Sequence, residues 1–164
     1  MRKVGKYYGI GTEILMGDIV NTNAAYIAKE LTNLGITMYH QTVVGDNPKR
    51  LKESLELAFS RSDIVITTGG LGPTYDDLSK ETIAAYFGRK LEMDEASLQS
   101  VIEFHEKLNI PMPENNKKQA MMPEGATIFP NPNGTAPGCA IEQDGKTAIM
   151  LPGPPREMAP MFDH

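Results

Sequence analysis

Residues 62–77 read SDIVITTGGLGPTYDD, and the two halves of this stretch decide the fold. Ile64 to Thr68 form a continuous apolar, β-branched run, the pattern of a strand covered on both faces rather than one that alternates toward water. Such strands belong to parallel sheets whose connections are helices, which implies an α/β architecture. The second half gathers Gly69, Gly70, Gly72 and Pro73 and closes on Asp76 and Asp77. A helix is expected to start there, over residues 77–87, with Ile83 and Phe87 turned inward.

The flanking sequence repeats this alternation. In 21–35, NTNAAYIAKELTNLG, the residues Ala24, Ile27, Ala28, Leu31 and Leu34 share one helical face; Asn21, Thr22 or Asn23 can cap its start and Gly35 its end. ITMYHQTVV (36–44) reads as a strand, and GDNP (45–48) supplies a cap and a first-turn proline for a second helix with Leu51, Leu55, Ala58 and Phe59 on one side. Downstream, Asp94 can cap a helix over 95–108, carrying Leu98, Val101, Ile102, His105 and Leu108. Residues 109–126 are polar and proline-punctuated, with room for a short helix. ATIFP (126–130) is a candidate strand, and GCAIEQDGKTAIML (138–151) a hairpin turning at Asp144-Gly145, a type I′ signal. PGPPREMAPMF (152–162) starts a last helix. The expectation is a doubly wound α/β sheet made mixed by the late hairpin.

The chain has 164 residues, one domain by size, and ends where its last helix has barely begun, as in a domain cut from a longer polypeptide. A net charge of −5 with a pI near 5.2 and no basic run offers no electrostatic reason for nucleic acid or an anionic membrane as partner. The single cysteine, Cys139, rules out an intrachain disulfide and suits a reducing cytoplasm. No apolar stretch approaches the length of a membrane span, and the first residues lack the apolar core of a signal peptide.

Three polar clusters interrupt this framework. The glycines after a buried strand allow main-chain amides to approach a ligand, and the following helix N-terminus favours an anion, so phosphate or pyrophosphate fits. The spacing is neither a P-loop nor a GxGxxG fingerprint, and by itself it fits a tight strand-to-helix turn equally well. Asp76 and Asp77 add a second consideration. One acid is enough to complement the helix dipole; two beside an anion site repel the anion unless a divalent cation lies between them. The second cluster, GTEILMGDIVNTN (11–23), crowds Thr12, Glu13, Asp18, Asn21 and Asn23 around another strand-to-helix connection. The third, LPGPP (151–155), is either a stiff turn or a rigid wall at the same end of the sheet. Among Asn115 to Gln119, mostly a solvated face, a lysine such as Lys118 can reach a phosphate. No serine or cysteine sits in a nucleophile elbow, and no histidines have zinc-ligand spacing.

Taken in order, GTEILMGDIVNTN, TVVGDN, TTGGLGPTYDD, NNKKQAMMPEGA, NPNGTAPG and LPGPPREM resemble the N-terminal domain of the competence/damage-inducible CinA proteins, in the molybdopterin-binding superfamily with MogA and MoaB. The resemblance spans essentially the whole chain. It implies a three-layer α/β/α fold and a site where the GGLGPT loop meets the GTE segment. It also implies a divalent-cation-dependent ADP-ribose pyrophosphatase activity. Asp76, Asp77 and Glu13 would be catalytic, and Asp76 and Asp77 would hold Mg²⁺ or a similar ion. Thr12, Asn21, Asn23, Gly69, Gly70, Gly72, Pro73, Thr74, Lys118, Asn133, Gly153 and Pro154 would bind the nucleotide. The alternatives are a molybdopterin-binding module without hydrolysis, or an assembly domain for a C-terminal nicotinamide-nucleotide amidase that this chain does not reach. Relatives of this kind are dimers or trimers, so a homo-oligomer is expected. One departure stands out: family members begin with an apolar strand, whereas Gly5, Lys6 and Gly9 interrupt VGKYYGI here, which predicts a short, displaced or irregular first strand.

Overall fold

The computed structural model describes residues 3–12, 16 and 22–163. Along the chain run β1 (Val4–Ile10), α1 (Thr22–Asn33), β2 (Thr37–Val44), α2 (Pro48–Arg61), β3 (Ile64–Thr68) and α3 (Ser79–Tyr86). Then come β4 (Leu91–Met93), α4 (Glu95–Lys107), a 3₁₀ helix (Glu114–Ala120), β5 (Met121–Pro123), β6 (Thr127–Phe129), β7 (Gly138–Gln143), β8 (Lys146–Leu151) and α5 (Pro155–Phe162). Six strands form one sheet in the order β2-β1-β3-β8-β7-β6. The first four are parallel, β7 is antiparallel to β8, and β6 to β7, so the sheet is mixed as the hairpin required. Asp144 and Gly145 turn that hairpin with φ of +51° and +77°, the two positive values a type I′ turn needs. A separate ribbon pairs β4 with β5; the three-residue β4 was not expected from the sequence.

Alternate residues of the buried strands serve opposite faces. Tyr7, Ile66 and Leu151 pack against Ile27, Leu31, Met158 and Met161 of α1 and α5. Tyr8, Val65 and Met150 pack on the other side with Leu51, Leu55 and Phe59 of α2 and Ile83 of α3. This is the three-layer α/β/α arrangement. Local signals hold where a side chain reaches back: Asn47 accepts from the Arg50 amide at 3.1 Å ahead of α2, and Asp94 accepts from Ser97 at 2.9 Å ahead of α4.

The first strand is irregular, as expected, but neither short nor displaced. β1 is seven residues long and central, paired on both sides, and its irregularity is one register shift against β2 between Gly5 and Lys6. Lys6 is tolerated because its ammonium donates to Thr42 Oγ1 and lies 4.8 Å from the centre of the Tyr8 ring. It is 1% exposed and has no carboxylate partner among the described residues. Burial, helped by the Arg61 charge, lowers its pKa to about 8.

A second correction concerns α3, which begins at Ser79 rather than Asp77. Asp77 closes a local turn instead: its Oδ2 accepts from the amide of Thr74 at 3.1 Å and from Thr74 Oγ1 at 2.6 Å. That competition keeps the residue out of the helix.

Candidate functional site

Because β1, β3 and β8 run parallel, their C-terminal ends share one edge of the sheet. The loops leaving them are laced together there: Gly69 N–H donates to Leu151 O at 3.0 Å, and Asn23 Nδ2 donates to Gly153 O at 2.7 Å. Between these loops opens a cavity of about 420 Å³. One wall is Gly69 to Gly72 with Asp77, the opposite wall Gly153 to Pro155 with Glu157, and Gln119, Thr135 and Ala136 close the side.

The glycine bend has a specific construction. Gly69 and Gly70 take φ of +98° and +73°. A Cβ on Gly69 would lie 2.2 Å from Ile10 O, and one on Gly70 1.8 Å from Ser79 Oγ, so only glycine fits. The Gly69 carbonyl accepts from Ser79 Oγ at 2.9 Å, and the Gly70 carbonyl from Ser79 N–H at 3.3 Å. With the carbonyls occupied, the amides of Gly70, Leu71 and Gly72 donate to no acceptor among the described residues. Three consecutive N–H groups without an acceptor among the described residues, along the wall of a cavity, are an arrangement that can accommodate an anion.

The remaining predicted residues separate into groups. Gly69, Gly70, Gly72, Asp77, Gly153 and Pro154 line the cavity. Asp76 does not; it is exposed and faces a shallow notch beside Asp46 and Asn47. Pro73 and Thr74 form the outer turn, with Thr74 committed to Asp77. Lys118 is a clamp on that turn: its ammonium donates to the carbonyls of Thr74 and Asp77 and lies 3.9 Å from Glu81. Thr12 bonds Asp46, whose carboxylate accepts its amide at 3.3 Å and whose side chain reaches the cavity wall. Asn23 is buried and anchors Gly153 rather than capping α1. Asn133 is exposed and ties its loop to α5 by donating to Arg156 O at 2.8 Å. Glu13, Asp18 and Asn21 lie outside the described residues.

Several cavity residues escaped the sequence reading, Glu157 and Gln119 among them. Glu157 is 8% exposed, and its Oε1 accepts from Asn131 Nδ2 at 2.7 Å. Gly134 is what admits it: a Cβ there would sit 2.0 Å from that oxygen. Glu157 lay in the LPGPPREM motif, but its helical position gave no sign that the carboxylate turns inward. Gln119, 3% exposed, sat in a stretch that reads as a solvated face.

A metal would find limited purchase. No group of three His, Cys, Asp or Glu side chains among the described residues is close enough to hold an ion. Asp77 Oδ1, however, has no partner among them. That suits an ion of the Mg²⁺ kind, which takes one or two carboxylates together with ligand phosphates. No helix among the described residues is long and apolar enough to cross a membrane.

The family model described as "Probable molybdopterin binding domain" matches residues 8–164. A competence-damage inducible protein of Clostridium kluyveri is 62% identical over 154 residues, covering 93% of this chain and 38% of its own length. One from Alkaliphilus oremlandii is 57% identical, covering 94% of this chain and 37% of its own. The chain thus spans well under half the length of these relatives. Among solved structures, the CinA protein of unknown function from Thermoplasma acidophilum superposes with a TM-score of 0.89 at 36% identity, covering 99% of this chain and 95% of that one. A MoaB molybdopterin biosynthesis enzyme from Thermus thermophilus gives 0.65 at 15% identity, covering 98% and 87%, which establishes the shared fold.

Proposed function

This chain belongs to the CinA branch of the molybdopterin-binding domain family, and on that premise we propose that it hydrolyses the pyrophosphate bond of ADP-ribose or a related nucleotide diphosphate with the help of a divalent cation. One observation carries the reading: three consecutive main-chain amides with no acceptor among the described residues line a cavity at the strand ends, beside a carboxylate with one oxygen that has no partner among those residues.

In this reading the N–H groups of Gly70, Leu71 and Gly72 hold phosphate oxygens, fixed in place before the ligand arrives. Pro152 to Pro155 form a rigid opposite wall that limits the ligand's freedom. Asp77, with Glu13 by resemblance, would bind Mg²⁺ or a similar ion, which when bound supplies charge neutralisation at the phosphates and acidifies water. Water adds to one phosphorus, the bridging P–O bond breaks, and the products are AMP and ribose 5-phosphate. Glu157 is a second carboxylate, on the other wall of the cavity, and accepts from Asn131. A cytoplasmic setting agrees with the lone, buried Cys139, and a homo-oligomer is the expected assembly.

The test is AMP release from ADP-ribose by the purified protein in magnesium. Absence of release with wild type, or full release by Asp77→Asn, removes the hydrolytic reading. A second reading, molybdopterin binding without hydrolysis, is favoured by the family description; tight molybdopterin binding with no turnover of ADP-ribose would select it.

A further inference from the structure

Gln119 lines the cavity, and its side-chain amide has two ends that are chemical opposites: Oε1 accepts hydrogen bonds and Nε2 donates them. Which end meets a ligand depends on what holds the other. The chain of contacts that settles this begins at His105 in α4, 6% exposed and absent from the cavity wall.

His105 Nδ1 lies 2.8 Å from the carbonyl oxygen of Val101. A carbonyl cannot donate, so Nδ1 carries the hydrogen. Nε2 faces Asn116 Nδ2 at 3.3 Å. Asn116 Nδ2 is a donor, so Nε2 is the acceptor in this contact. The same Asn116 Nδ2 lies 3.4 Å from Gln119 Oε1. One NH₂ group therefore serves two acceptors, His105 Nε2 and Gln119 Oε1. The oxygen of Gln119 is held within the protein, and its Nε2 has no acceptor among the described residues.

We propose that His105 is a positioning residue for the anion site: through Asn116 it orients Gln119 so that its NH₂ group donates to the anion bound by Gly70, Leu71 and Gly72. The inference rests on the phosphate reading of the cavity. It adds a side-chain donor to an all-backbone cradle, and places its control in a buried ring that never touches the ligand. The opposite amide orientation would put a carbonyl-type oxygen toward the anion and repel it.

The experiment is isothermal titration calorimetry with inorganic pyrophosphate in magnesium buffer, on the whole chain. Gln119→Glu, which keeps the shape and removes the donor, is expected to weaken binding about tenfold or more. His105→Leu should weaken it to a similar extent, His105→Gln should recover most of the loss by restoring an acceptor, and His105→Leu should add nothing in a Gln119→Glu background. A residue that only packs would lower the unfolding temperature in both His105 variants and leave Kd alone. An unchanged Kd in folded His105→Leu overturns the inference. Should that variant fail to fold, wild-type affinity in Gln119→Glu overturns it independently. A wild-type protein that binds no pyrophosphate overturns the anion site itself, and the inference with it.

Discussion

Ser79 Oγ donates to the carbonyl oxygen of Gly69 at 2.9 Å, ten residues back along the chain. The first turn of α3 is thereby fastened to the bend that precedes it: Ser79 takes up the carbonyls of Gly69 and Gly70, while the amides of Gly70, Leu71 and Gly72 have no acceptor among the described residues. The shape of the glycine bend thus depends on a serine that does not line the cavity.

The space this leaves is small. A Cβ on Gly70 would approach Ser79 Oγ to 1.8 Å from a backbone at φ +73°. Gly70→Ala should therefore cost about 3 kcal/mol through left-handed strain and overpacking. Ser79→Ala should cost about 1 kcal/mol for its hydrogen bond. Removing the hydroxyl relieves part of the clash, so the double variant should lose less than the sum. Denaturant unfolding of the three variants checks this, and strict additivity would refute the coupling.

The two adjacent aspartates should behave differently, because they face different ways. Asp77 lines the cavity and closes the Thr74 turn, whereas Asp76 is exposed toward a separate notch. Asp77→Asn should lower AMP release about 100-fold through loss of the carboxylate and a displaced loop. Asp76→Asn should stay within about twofold, as for other surface substitutions. Equal losses in the two variants would restore the paired-carboxylate arrangement read from the sequence.

Lys118 spans from the 3₁₀ helix to the carbonyls of Thr74 and Asp77, so it acts on the loop before it acts on any ligand. Lys118→Met should speed amide hydrogen exchange across residues 74–78 and raise KM more than it lowers kcat. The relevant comparison is exchange by mass spectrometry without ligand. Unchanged protection there, with weakened ligand binding, would return Lys118 to direct phosphate contact.

The layers of the fold were legible in the sequence because each rests on a periodicity: the apolar run 64–68, the helical face of Leu51, Leu55 and Phe59, and the Asp144-Gly145 turn. The glycine bend was legible for a similar reason, since glycines after a buried strand have few other uses. Side-chain direction within a loop has no such period. Asp76 and Asp77 look equivalent on paper, and only the hydrogen bonds from Thr74 to Asp77 tell them apart. Glu157 and Gln119 were hidden by their neighbours, because a polar residue in a polar segment looks exposed until a partner such as Asn131 or Asn116 is seen to turn it inward. Lys6 misled only in part: a charge in a strand predicted a short, displaced or irregular strand, and β1 is irregular beside Lys6 yet seven residues long, because Thr42 and the Tyr8 ring accommodate the lysine.

Lys6 also sets a pH dependence with a defined sign. Burial lowers its pKa in the folded protein from 10.5 to about 8, so between those values the unfolded chain binds more protons than the folded one. The destabilisation from this group is fully present below pH 8 and fades as pH rises toward 10.5. Lys6→Met, of similar length and without charge, should stabilise the protein by about 2 kcal/mol at pH 7, in the way a well-packed apolar residue improves on a buried ion. That advantage should shrink steadily across pH 8 to 10.5. Urea unfolding of both proteins at pH 7, 8, 9 and 10 measures the difference, and a gap that stays constant over this range would show that Lys6 keeps its ordinary proton affinity in the folded state.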